Sequence, residues 1–134
     1  MTGWPAGLRD ELDADVRRVS DRLRSLSQAK LAAPVGGFSS RADGARKVAQ
    51  VLAEAAQGVE ERGAAAEPAW RRVPQLSDFA VGDQVAVVGH DLLAALDSVA
   101  PGDDVWSRGQ PSRRTALSVV TAAAAELATL RRLL

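Results

Sequence analysis

The chain has no cysteine and no tyrosine, a single histidine, His90, and only two lysines, Lys30 and Lys47. Without cysteine there is no disulfide frame, no thiol nucleophile and no thiolate zinc site. One imidazole rules out any site that needs two, and no metal or other cofactor is expected. Aromatic residues are 4% of the chain, with Trp 3 and Phe 2, too few for a platform on which bases stack. An excess of charge is missing too, because Lys plus Arg is 17 and Asp plus Glu is 17. A chain of zero net charge gains little from counterion release, so nucleic acid is not an expected partner. The doublets Arg17-Arg18, Arg71-Arg72, Arg113-Arg114 and Arg131-Arg132 do not change this. Adjacent helical residues point about 100° apart, so doublets build no single basic stripe.

Long apolar runs are scarce. The uncharged stretch Thr115–Ala125 falls well short of the roughly 20 residues that span a bilayer. The N-terminal Met1–Gly7 has no basic region followed by an apolar run. These features predict a cytoplasmic chain with no membrane partner.

What is present is ordinary globular composition: 134 residues, 46% hydrophobic and 25% charged. That suits one domain with one core. Leu8, Leu12, Val19, Leu23 and Leu26 recur at helical spacing and predict a first helix over about residues 5–32. Ser40-Arg41-Ala42-Asp43 resembles a capping box. Ala45, Val48, Leu52, Ala55 and Val59 then predict a second helix over 41–62. A third, over 78–99, follows from Val81, Val85, Val88, Leu92, Ala95 and Val99. Gly82, Ala86 and Gly89 line one flank of it, which lets a neighbouring helix come close. A fourth, over 112–133, carries Leu117, Val120, Ala124, Leu127 and Leu134, widened by Val119, Ala123 and Leu130. No strand signal persists. The predicted fold is all-α, a four-helix up-down bundle with a long connection between the second and third helices. Acids on the third helix and arginines at the ends of the fourth predict that these two are neighbours.

Three features carry candidate chemistry. Asp83, Gln84, His90 and Asp91 put the one imidazole among carboxylates, but Asp83 and His90 are two turns apart, roughly 10 Å. That exceeds the contact distance a general base needs from its orienting acid. They read as a solvated stripe, and no catalytic residue is assigned. Trp70, Arg71 and Arg72 are candidate ligand-binding residues, since aromatics beside arginines hold anions. In an up-down bundle, Trp4, Phe79, Arg131 and Arg132 would gather around them. The wide apolar face of the last helix, with Val119, Ala123 and Leu130, is a candidate protein interface.

Phe79-Ala80-Val81-Gly82-Asp83-Gln84-Val85-Ala86 resembles the helix start of the DinB and mycothiol-dependent isomerase four-helix bundles. Where the resemblance implies a metal-binding His soon after, this sequence has Val87, and no His pair follows. The chain is therefore not assigned to that family. The sequence predicts a non-enzymatic interaction or assembly module, a homodimer or a partner of another soluble protein. The alternative is a small-molecule or anion-binding bundle with its site near Trp70–Arg72.

Overall fold

The computed structural model describes residues 3–134; Met1 and Thr2, which begin the N-terminal stretch considered above, lie outside the described residues. The predicted first helix is two helices, α1 (Leu8–Ser25) and α2 (Gln28–Ala32). Leu26 is extended, and Ser27 caps α2 by accepting from the Lys30 backbone N–H at 3.2 Å. Pro5 stays outside α1, which starts after Gly7 in a left-handed conformation (φ 84°).

α3 (Arg41–Glu60) begins as its cap predicts, with Ser40 Oγ accepting from Asp43 N–H at 2.9 Å. α4 (Val81–Ala95) is flanked by single 3-10 turns at Asp78–Ala80 and Leu96–Ser98. A hairpin follows, with β1 (Asp104–Trp106) antiparallel to β2 (Arg113–Thr115) and Val105 opposite Arg114. The Arg113 guanidinium stacks over the Trp106 ring at 4.6 Å. α5 (Ala116–Leu133) opens on Thr115, whose hydroxyl accepts from Ser118 N–H at 3.1 Å.

Among the described residues the fold is thus mostly helical, with five helices and a small two-stranded sheet, and not the pure all-α four-helix up-down bundle the sequence predicts. Ser27 divides the first helix. Residues 113–115, expected to be helical, pair with 104–106 instead.

The directions of the long helices differ as well. Arg9 meets Asp97 and Arg24 meets Asp83, each at 2.7 Å, so α1 and α4 are antiparallel. Arg46 meets Asp78 at one end of α3, and Arg62 donates to Ser98 O at the other, so α3 and α4 are parallel. Asp15 pairs with Arg131 at 3.1 Å, and Arg22 donates to Leu134 O, so α1 and α5 are parallel. The order is up, down, down, up. α4 packs between α1 and α3, and α5 packs on their other side. The acidic α4 and basic-ended α5 are diagonal, which corrects the expectation that their charges make them neighbours. Asp83 of α4 instead meets Arg24 of α1, and the acids of the flanking turns, Asp78 and Asp97, meet Arg46 of α3 and Arg9 of α1.

The core gathers Leu12, Val19, Leu23 and Leu26, the predicted faces of α3 and α4, and Val105 of the hairpin. On α5 the buried face is rotated from the predicted one. Ala116, Val119, Val120, Ala123, Leu127 and Leu130 are buried, while Leu117 and Ala124 are only partly covered. The stretch Asp78–Ser98, of mean hydropathy 1.3, is long and apolar enough to cross a membrane by length and composition, and half of that window is buried here. Its apolarity is that of a helix with neighbours on two sides.

Candidate functional site

Parallel α3 and α4 require a connection that runs the length of the bundle. Residues 61–77 supply it, and residues 69–76 lie as an extended strap along α3 and α4. Gln57 Nε2 donates to Ala69 O at 3.0 Å, and its Oε1 accepts from Arg71 N–H at 2.9 Å. One step along, Gln50 Nε2 donates to Arg71 O at 2.9 Å, and its Oε1 accepts from Val73 N–H at 2.8 Å. Each carboxamide therefore makes a two-point contact with the strap main chain. Each is also oriented from behind by a glutamate four residues later. Gln50 Nε2 donates to Glu54 Oε2 at 2.9 Å, and Gln57 Nε2 donates to Glu61 Oε2 at 2.6 Å. A carboxylate accepts only, so it fixes which amide atom is the donor.

The far end of the strap is held by Gln84 Nε2 on Pro74 O at 2.5 Å and by Arg46 on Leu76 O at 2.9 Å. The hold there is incomplete. Gln84 Oε1 and Arg46 Nε are buried, with no hydrogen-bond partner among the described residues.

The predicted ligand residues lie on this strap. Trp70 is half-buried against Gly58, and its indole N–H has no partner among the described residues. Arg71 is exposed, with Glu60 and Glu61 at 3.7 and 3.6 Å. Arg72 is exposed and unpaired among the described residues, and it lines two open clefts of about 350 Å³, one on each side of the strap. The wider cluster does not assemble. Trp4 donates to Val99 O at 3.2 Å at one end of the bundle, while Phe79 stands 65% exposed at the other.

Val119, Ala123 and Leu130, the candidate interface, are 9%, 0% and 0% exposed, buried within this chain's own core. His90 and Asp91 are exposed, as is Asp83, which pairs with Arg24. Gln84 leaves that stripe and is 7% exposed beneath the strap. Among the described residues no three of His, Cys, Asp and Glu gather as a metal site would require.

Gln50 and Gln57 escaped the sequence reading. Their signal was present in Gln50…Glu54 and Gln57…Glu61, the same pair repeated seven residues apart on an alanine-rich helix. No family model, no curated protein and no solved structure matches the chain.

Proposed function

We propose that the protein is a non-enzymatic interaction module that pairs with a second copy of itself through the outward face of α4. One observation supports this above others: among the described residues the exposed large apolar side chains are Leu76, Phe79 and Val87, at 45%, 65% and 60%. All three belong to the end of the strap or to the outer side of α4. Phe79, Asp83, Val87, His90 and Ala94 recur at spacings of four, four, three and four, which places them on one helical face. Two acids that would repel across a twofold axis are already neutralised within the chain, Asp83 by Arg24 and Asp97 by Arg9. An isologous pairing of this face therefore meets reduced like-charge opposition. The flank of α5 is not offered as the surface, because its residues are spent on the chain's own core.

Sedimentation at micromolar concentration should give twice the monomer mass. Phe79→Glu should reduce it to the monomer with an unchanged helical circular-dichroism spectrum. A wild-type monomer throughout that range overturns the reading.

Arg72 supports a second reading, an anion site in the clefts beside the strap. Their volume of about 350 Å³ falls within the usual ligand range. Glu60 and Asp91 on one side and Asp43 on the other weaken the positive field. Titration with inorganic phosphate, followed by calorimetry on wild type and Arg72→Gln, tests it. Equal heats from both proteins dismiss it.

A further inference from the structure

We infer that the strap groove accepts residues 69–76 of a second copy of this chain in place of its own, so that two molecules exchange the half that follows the strap. Three observations lead there. First, Gln50, Gln57 and Arg46, all on α3, bond strap main-chain atoms, three of them carbonyl oxygens and two of them N–H groups. Such a groove recognises an extended backbone in a given register. It does not distinguish the chain's own strap from an identical one. Second, the segment joining α3 to the strap is built as a hinge. Gly63, Ala64, Ala65, Ala66 and Glu67 are all exposed, and their backbone is tied by the single bond from Ala64 N–H to Glu61 O. Third, the seat is imperfect at its far end, where Arg46 Nε of α3 is buried with no hydrogen-bond partner among the described residues. Unsatisfied buried groups favour local opening, since water pairs them once the strap lifts.

The exchanged pair reproduces every contact of the closed monomer, with α4 and α5 delivered to the partner's α1 and α3. Closed and exchanged forms then differ only in the hinge and in the entropy of association, the usual condition for exchange of identical elements. A long hinge favours the closed form. A hinge too short to turn back favours the exchanged one. Removing Gly63–Glu67 leaves Glu61-Arg62-Pro68-Ala69 to reverse the chain, with proline at the third turn position, where it is disfavoured.

The test is made in a Phe79→Glu background, so that the α4 face cannot supply a dimer. The chain lacking Gly63–Glu67 should be folded and run at twice the monomer mass by light scattering. Separately, two differently tagged full-length Phe79→Glu copies, unfolded together and refolded at high concentration, should yield mixed-tag dimers that persist on dilution. A folded monomer from the shortened chain overturns the inference. So does a shortened chain that fails to fold, if the co-refolded copies give no mixed-tag dimer. Failure of the α4-face proposal alone would leave both results unchanged.

Discussion

Gly89 of α4 lies directly against Val16 of α1, so that a Cβ at position 89 would stand 2.6 Å from both Val16 methyl carbons. Val16 is 1% exposed, so its methyl groups could yield only by displacing other packed side chains. Alanine gains about 1 kcal/mol of helix propensity over glycine, which opposes the packing cost. The packing cost is expected to win, with Gly89→Ala losing about 1 kcal/mol net and Gly89→Leu more, through overpacking. Adding Val16→Ala should recover part of the Gly89→Ala loss, with a coupling of at least about 0.5 kcal/mol in a double-mutant cycle. Urea unfolding measures all three. A stabilised Gly89→Ala would mean that the two helices separate freely.

Gly58 is a harder case, because a Cβ there would collide with the main-chain carbonyl of Trp106. A backbone oxygen held in a hairpin yields less than a methyl group. Gly58→Ala should therefore cost more than Gly89→Ala, about 2–3 kcal/mol by overpacking. Guanidinium unfolding followed by tryptophan fluorescence reads this directly. Equal losses at the two sites would show that the hairpin shifts as easily as a side chain.

Leu130 is fully buried, so Leu130→Ala should lose about 2–5 kcal/mol through a cavity. Leu130→Glu should unfold the chain at ambient temperature, because a buried carboxylate has no partner there. Circular dichroism separates this from dissociation. A folded Leu130→Glu monomer would return the α5 flank to consideration as an interface.

Arg71 and Val73 donate their amides to Gln57 and Gln50. In Gln57→Leu and Gln50→Leu these two amides should exchange with deuterium at least tenfold faster, while the α3 core amides keep their protection. Global stability should fall by about 1 kcal/mol for each variant, the net worth of a hydrogen bond whose strap partner is exposed or half-buried. Unchanged protection at 71 and 73 would mean that the strap is held by its side chains instead.

Helical spacing revealed the main buried stripes of α3 and α4, whose cores recur regularly, but not Ala49, Ala56 and Gln57 of α3 or Gln84 of α4, which further neighbours cover. On α5 the same method chose Leu117, Val120, Ala124, Leu127 and Leu134; Val120 and Leu127 are fully buried, but Leu117 and Ala124 are only partly covered, and Ala123 and Leu130 take further core positions. An alanine-rich helix has too little contrast around its circumference to orient it. The hairpin was missed because three-residue strands show no alternation. Val105-Trp106 and the turn chemistry of Arg108-Gly109-Gln110-Pro111 were its available signals. Helix direction was misjudged because residues 64–77 were read as a loop at one end. Length alone permitted the other outcome. The 20 residues of α3 span about 30 Å, which about nine extended residues cover, and residues 61–77 exceed that. The candidate site was legible only in part. Trp70–Arg72 was singled out for side-chain chemistry, whereas the structure engages chiefly the backbone of that segment.

Because α1 lies diagonal to α3, and α4 diagonal to α5, a nascent chain holding only the first three helices has no pair of long helices that pack side by side. Its leucines and valines stay uncovered until α4 emerges and is carried back along α3. The contacts that finally close the core join residues as far apart as Asp15 and Arg131. Loop closure over such separations slows folding relative to helical chains built from hairpins. Synthesis rate and chaperone occupancy, more than intrinsic helix propensity, would then govern how much of this protein reaches its native state.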